Sequence, residues 1–198
     1  RLLKGTGGND KGSKTLINDK DRYTIDAIGG NDSVINSGDY VSISAGAGND
    51  TVNNQGDYVT IEGGAGTEVI YNSGLNVSIN GGDGADLVSI FGTAANCTIL
   101  GGAGNDTIYS NGTGNVFLFS GNVSEGDNVL SGFSNNDTIY IESSNTTVTD
   151  SVVGGSPQLT LSEDSISTTI LLKDFSGNSF KYVQGAATAA KDYTLSGG

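Results

Sequence analysis

The stretch from Ala45 to Asp106 decides the fold: AGAGNDTVNNQGDYVTIE, GGAGTEVIYNSGLNVSIN, GGDGADLVSIFGTAANCTIL, GGAGND. A glycine-rich acidic turn returns in it at Asp50, Glu68, Asp86 and Asp106, with spacings of 18, 18 and 20 residues. Self-similarity at a fixed period of this length is typical of a solenoid, in which each repeat stacks on its neighbours. The sequence therefore predicts a coiled, stacked chain.

Each coil has two halves. An acidic turn is followed by a short strand, and a second turn (NSGDY, NQGDY or NSGLN) is followed by a V-x-I strand. The apolar residues are Val34, Val52, Ile70, Val88 and Ile108 in the first half, and Val41/Ile43, Val59/Ile61 and Val77/Ile79 in the second. Alternation at period 2 puts such pairs on one face of a strand. Stacked in parallel about 4.8 Å apart, these strands predict an all-β parallel solenoid with a Val/Ile core.

The ends of the array are less regular. We expect an irregular leading coil at residues 1–26, repeats at 27–141 and a β-rich capping region at 142–198. Asp10 lies in a similar turn 22 residues before Asp32, and we place the four extra residues at Lys11–Lys14. Asp127 and Asp137 each keep an apolar residue two places on, so the stack is extended to them.

Two interior features follow from the repeat. Asn36, Asn54 and Asn72 recur in register until Ile90, which predicts an asparagine ladder. The single Cys97 cannot form an internal disulfide, and counting back from the following turn aligns it with Val59, Val77 and Phe117. A free cysteine in an apolar column behaves as a small hydrophobe, so we expect it to be buried.

Composition excludes several functions. The 198 residues contain 22 acidic and 9 basic side chains, and a net charge of −13 disfavours nucleic acid and anionic lipid. No apolar run reaches the roughly 18 residues of a membrane span, so no membrane insertion is expected. Histidine, a common general base and zinc ligand, is absent. The chain starts at Arg1 without a signal peptide, and we expect a fragment or processed product.

The acidic turns carry the chemistry. GGDGADLVS at 81–89 and GGAGNDTIY at 101–109 fit the nonapeptide G-G-x-G-x-D-x-U-x, where U is a large apolar residue, and AGAGNDTVN at 45–53 nearly does. The chain thus resembles the hemolysin-type, or RTX, calcium-binding family over roughly residues 27–110. The resemblance implies a parallel β-roll, export by a type I secretion system, and a secreted or cell-surface location. It also implies Ca²⁺ ions in a row between successive turns.

The residues that this resemblance assigns to the ions are carboxylates and turn glycines. Glycine allows positive φ and turns carbonyls inwards, and Ca²⁺ takes six to eight oxygen ligands. The expected metal residues are Asp32, Asp50, Glu68, Asp86, Asp106, Gly46, Gly48, Gly64, Gly66, Gly82, Gly84, Gly102 and Gly104, with Asp10, Asp127 and Asp137 as further candidates.

The chain departs from the family pattern in places. The second turn of each coil has valine where a ligand would stand, so we predict one row of ions. Asp39 and Asp57 lie elsewhere in that turn and are expected to be solvated. Glu68 replaces aspartate, and Ile28 replaces a glycine near Asp32, which puts both sites in doubt.

Three functions stay open at this stage. The preferred one is an extracellular Ca²⁺-dependent β-roll segment of a larger protein, acting as a folding switch, spacer or adhesin element. The second is a metal-independent solenoid that binds cell-surface glycan or protein, with Tyr40, Tyr58 and Tyr71 exposed. The third, an enzyme, is disfavoured because acid pairs such as Glu163/Asp164 have no organised catalytic partners.

Overall fold

The computed structural model describes residues 1–10, 15–177, 179–187 and 190–196, and the extra residues expected at Lys11–Lys14 lie outside them. The described chain is all-β and winds into a parallel solenoid of about eight turns. The strands form two ten-stranded sheets, A and B, and successive strands alternate between them from β1 to β16. No helix long and apolar enough to cross a bilayer occurs in the part that the structure describes.

Sheet A contains, in spatial order, β1 (Leu2–Lys4), β3 (Thr24–Asp26), β5 (Ser42–Ala47), β7 (Thr60–Gly66), β9 (Ser78–Gly84), β11 (Thr98–Ala103), β13 (Val116–Phe119), β15 (Thr138–Ile141), β19 (Ser179–Gln184) and β20 (Lys191–Thr194). Sheet B contains β16 (Thr147–Val153), β17 (Ser156–Glu163), β18 (Ile166–Lys173), β14 (Asp127–Ser131), β12 (Thr107–Ser110), β10 (Leu87–Ile90), β8 (Val69–Asn72), β6 (Thr51–Asn54), β4 (Ser33–Asn36) and β2 (Leu16–Asn18). The predicted all-β parallel solenoid is confirmed.

The core lies between the two sheets. Ile25, Ile43, Ile61 and Ile79 stack directly over one another in sheet A, and all are at most 1% exposed. Sheet B supplies the facing column, in which Val34 pairs with Val52 and the series continues to Ile108. Burying such a side chain stabilises the fold by about 1.5–3 kcal/mol. The two columns therefore hold each coil to the next.

The asparagine ladder is confirmed and is one residue longer than expected. The Nδ2 of Asn18 donates to Oδ1 of Asn36 at 2.7 Å, and the same bond at 2.8 Å links Asn36 to Asn54 and Asn54 to Asn72. All four side chains are buried. Because each amide also donates to a backbone carbonyl in its own turn, the ladder fixes the turn that it enters.

The second turns form a regular outer edge. Tyr40 and Tyr58 have positive φ of 56°, and their rings stack at 4.9 Å. Asp39 and Asp57 are half-buried, so they keep partial contact with solvent, and they also have a structural role. Their Oδ1 atoms accept the N–H of the matching residue in the next coil, at 2.9 and 2.8 Å. The carboxylates thus satisfy donors that the strands leave open.

The C-terminal strands end the stack. β18 and β19 each add in parallel to their sheets, whereas β16, β17 and β20 pair antiparallel with their neighbours. The strands β16 to β20 all lie within residues 142–198, the region expected to be β-rich. The leading strands β1 and β2 pair in parallel with β3 and β4, so the first coil belongs to the same stack.

Cys97 is fully buried, as predicted, but its column differs from the expected one. Phe117 was expected to align with Cys97, but it pairs with Ile99, two residues later. The residue opposite Cys97 is Asn115, whose Oδ1 accepts the Cys97 N–H at 3.0 Å. The alignment failed because the turn that follows Phe119 is longer than the earlier turns, and counting back from it shifted the register.

Candidate metal centre

The acidic turns all lie on one edge of the solenoid, where the chain passes from sheet A to sheet B. The residue that follows each acidic position stacks in register, as Ser33 pairs with Thr51 and Thr51 with Val69. The acidic side chains point inwards and are at most 2% exposed: Asp10, Asp32, Asp50, Glu68, Asp86 and Asp106. The structure therefore brings the main candidates, and Asp10 with them, into one buried column.

Hydrogen bonds along the stack orient these carboxylates. Oδ1 of Asp50 accepts the N–H of Asp32 at 2.7 Å, and Oδ1 of Asp86 accepts the N–H of Glu68 at 2.8 Å. The same bond runs from Asp86 to Asp106 at 2.9 Å. Each of these carboxylates thus reaches back to the preceding coil, which leaves its second oxygen to face the interior of the turn.

Several of the second oxygens are buried without a hydrogen-bond donor. This is true of Oδ2 in Asp32, Asp86 and Asp106, and of both carboxylate oxygens in Glu68. An unpaired buried carboxylate oxygen is costly, because nothing replaces its lost hydration. The residues present therefore fit a bound cation that accepts oxygen ligands.

The raised pKa values of these carboxylates also favour a bound cation. Burial raises the pKa of Glu68 from 4.5 to about 8, with smaller contributions from the charge of Asp86, a side-chain hydrogen bond with Asp86 and the charge of Asp50. Burial, with the charge of Asp86 added, raises the pKa of Asp106 from 3.8 to about 6. Burial also raises the pKa of Asp86 itself. Without a cation, ionising this column destabilises the fold.

Glycine is required where the turns approach one another. At Gly82, with φ of +113°, and at Gly84, with φ of +144°, an added Cβ would collide with the carbonyl of the glycine one coil before. At Gly81 an added Cβ would meet Oδ2 of Asp86 at 2.5 Å. Glycine thus allows close stacking and keeps the space beside the carboxylate open. Ala27 and Ala45 place a buried methyl group at the matching position of the first two regular coils.

Side chains alone do not complete a metal site. Within the described ranges, no group of three or more histidine, cysteine, aspartate or glutamate residues lies close enough to hold an ion. A Ca²⁺ ion accepts backbone carbonyls as readily as carboxylates, at about 2.3–2.6 Å. Turn carbonyls, including those of the glycines at 46, 48, 64, 66, 82, 84, 102 and 104, would have to supply the remaining ligands.

Two of the further candidates lie elsewhere. Asn128, not Asp127, occupies the column, because the Asp106 N–H donates to Oδ1 of Asn128 at 2.9 Å. Asp127 is exposed and accepts a bond from Thr169 Oγ1 at 2.8 Å. Asp137 lies on the opposite edge, where its Oδ1 accepts the Asn115 N–H at 2.9 Å. Extending the row through these two aspartates was therefore wrong.

Glu125 is a buried acid that the repeat pattern did not predict. Glu125, at 3% exposure, lies between β13 and β14, in the turn that stacks on the Asp106 turn. This turn is longer than those before it. The signal was the step of 22 residues from Asp106 to Asn128, which repeats the long step from Asp10 to Asp32. Aligning Ile108 with Leu130 instead of Val129 would have shown the longer turn, but not which of its residues is buried.

Comparison with known proteins bears on the same repeats. The family model described as the RTX calcium-binding nonapeptide repeat (4 copies) matches residues 89–117 and 120–148. These segments cover well under half of the chain. They include the nonapeptide at 101–109 and extend into the region where the strict period decays. No match was found among curated proteins. The resemblance to the RTX calcium-binding repeat family, inferred from the acidic turns, is thus confirmed for this chain.

Proposed function

We propose that this chain is a Ca²⁺-binding β-roll segment of a larger secreted or cell-surface protein. The observation that carries the proposal is the column of buried carboxylates, in which Asp32, Glu68, Asp86 and Asp106 have oxygens without hydrogen-bond donors. RTX repeats in a β-solenoid fit a Ca²⁺-binding roll. The family is structural rather than catalytic, which agrees with the lack of an organised catalytic constellation in the sequence.

The residues that would hold Ca²⁺ are the inner carboxylates of successive turns, Asp32, Asp50, Glu68, Asp86 and Asp106, together with turn carbonyls. Bound Ca²⁺ would supply positive charge and a coordination shell for the oxygens of Asp32, Glu68, Asp86 and Asp106 that lack a hydrogen-bond donor. The stretch from Glu68 to Asp106 suits this best. Its coils carry glycine, not alanine, at the inner position beside the carboxylate.

Binding and folding are coupled in this proposal. The unfolded chain, with a net charge of −13, does not preform the column, so Ca²⁺ binds the folded state preferentially. At low Ca²⁺ the carboxylates repel one another and favour the unfolded chain. At extracellular Ca²⁺ the roll forms, which suits a folding switch, spacer or adhesin element that is exported before it folds, as a type I secretion route would require.

Circular dichroism in EDTA and in millimolar Ca²⁺ tests the proposal. We expect Ca²⁺ to raise the β signal or the melting temperature, and calorimetry to count several ions per chain. Mg²⁺ should have a much smaller effect, because it prefers a tighter octahedron and keeps its water. A melting curve that is identical in EDTA and Ca²⁺ would remove the folding role.

A second function is favoured by one surface feature. Tyr40 and Tyr58 are about half exposed and stacked, and the guanidinium of Arg22 lies 5.2 Å from the ring centre of Tyr40. Such a row could contact glycan or another protein without metal, whereas Tyr71 lies apart in β8. Glycan-array binding that is insensitive to EDTA, and lost in Tyr58→Ala, would favour it.

A further inference from the structure

The acidic column ends at the turn between β13 and β14, which stacks on the Asp106 turn. Gly126 stacks on Gly104, because a Cβ added at Gly126 would meet the carbonyl oxygen of Gly104. This part of the turn therefore keeps the geometry of the repeat. The position that earlier coils fill with a carboxylate is filled by the neutral amide of Asn128. The last turn therefore has no aspartate of its own in the column, although the Oδ2 of Asp106 below it is buried without a donor.

Glu125 places a carboxylate in this turn from outside the repeat motif. It is 3% exposed, and both its oxygens are 3.1 Å from one donor, the N–H of Ser120. Its own N–H donates to Thr168 Oγ1 at 2.9 Å, and its carbonyl accepts Asn128 Nδ2 at 2.9 Å. Because Thr168 belongs to β18, the capping strand holds the Glu125 backbone with its side chain turned into the roll.

Among the described residues, no lysine or arginine forms a salt bridge with Glu125. In the described part of the chain the one ion pair is Lys20 with Asp19, at the other end of the molecule. Burial, together with the charges of Glu142 and Asp106, raises the pKa of Glu125 from 4.5 to about 7. Two buried carboxylates that affect each other, one with an unpaired oxygen and the other held by Ser120 alone, would be stabilised by a positive ligand.

We propose that Glu125 is the acidic ligand of one further Ca²⁺ site, which closes the row of ions between the Asp106 turn and the longer turn above it. This inference rests on the proposed function, because it assumes that the column binds Ca²⁺. It assigns to Glu125 the role that the spacing of the motif would give to Asp127. A hard cation accepts glutamate oxygens in an irregular shell as readily as those of aspartate.

Counting the ions tests the proposal, by calorimetry or by equilibrium dialysis with radioactive Ca²⁺, on the same chain and two variants. Glu125→Gln keeps the shape and an oxygen that accepts the Ser120 N–H, but it removes the charge. We expect it to bind one ion fewer than the wild type. Asp127→Asn is the matched control, since it removes the same charge two residues away on the exposed side, and it should keep the full count.

Melting provides a second readout. Glu125→Gln should lower the melting temperature in saturating Ca²⁺ but leave it unchanged or raise it in EDTA, because the buried charge is a cost only while no ion is bound. If Glu125→Gln does not fold, Glu125→Asp retains the charge on a shorter arm. It should raise the Kd of one ion about tenfold, a loss of about 1.4 kcal/mol of binding free energy.

The outcomes separate the two proposals. A full ion count in Glu125→Gln, a lost ion in Asp127→Asn, or wild-type affinity for every ion in Glu125→Asp would overturn the role of Glu125 alone. A wild-type chain that binds no Ca²⁺ would overturn the proposed function and the Glu125 site with it. Retention of all ions by Glu125→Gln with a raised melting temperature in EDTA would mean that a proton, not an ion, neutralises this carboxylate.

Discussion

Replacing Glu68 with glutamine should stabilise the metal-free protein at neutral pH. In the folded chain burial raises the pKa of Glu68 from 4.5 to about 8, so the folded state keeps its proton to higher pH than the unfolded state does. Below pH 4.5 both states are protonated and no stability is lost. Stability is then lost as the pH rises towards about 8, because folding must bury a charge that the unfolded chain leaves in water.

The magnitude follows from the width of that interval. Each pH unit between the two pKa values costs about 1.4 kcal/mol of the free energy of unfolding. At pH 7 the accumulated cost of Glu68 is therefore about 3 kcal/mol. Glutamine fills the same space and cannot ionise, so it should recover most of this amount in EDTA. In saturating Ca²⁺ the order should reverse, because the variant lacks a charged ligand.

Urea unfolding followed by circular dichroism, in EDTA at pH 5 and pH 7, measures the effect. Asp106 and Glu125 also carry raised pKa values, so the wild type should lose more stability than Glu68 alone accounts for. Between pH 5 and pH 7, Glu68→Gln should lose up to about 2.5 kcal/mol less than the wild type. Glu62→Gln, which changes an exposed residue of the same coil, should behave as the wild type does. Parallel losses in Glu68→Gln and wild type would refute the reasoning.

Three further predictions test the scaffold. Gly82→Ala should destabilise the chain by at least about 3 kcal/mol, because the φ of +113° at Gly82 and the adjacent carbonyl leave no room for a Cβ. Gly7→Ala is the control: a Cβ there meets nothing within 4 Å, so its melting temperature should be close to that of the wild type. Asn54→Ala removes three ladder hydrogen bonds and should cost about 3 kcal/mol with or without Ca²⁺, while Gln55→Ala on the exposed face should not. Cys97 is fully buried, so its reaction with a thiol reagent should require unfolding and be slowed by Ca²⁺; a fast, Ca²⁺-independent reaction would show that the coil is open.

The sequence was sufficient to predict the fold where the period is constant. Between Asp32 and Asp86 every coil has the same length, so turn glycines, core valines and the asparagine ladder all indicate one register. Local signals that agree in this way leave no competing alignment. The burial of the acidic column and its position on one edge follow from that register.

Prediction failed where the coil length changes. An acidic residue with an apolar one two places on is found at Asp127 with Val129, but Asn128 with Leu130 fits the stack equally well once acidity is ignored. The structure adopts the second, which buries Leu130 at 1% exposure and leaves Asp127 at the surface. A longer turn can place its extra residues anywhere, so spacing alone could not have located Glu125. Its burial depends on contacts with β18, which lies more than 40 residues away in sequence.

The backbone hydrogen bonds of both sheets run along the axis of the solenoid, from each coil to the next. Tension applied between the two ends would therefore pull on successive rungs in series and detach one revolution at a time, as a zipper opens. Ions bound between neighbouring turns would cross-link them and resist this separation. The force needed to extend the molecule would then depend on how much calcium surrounds it.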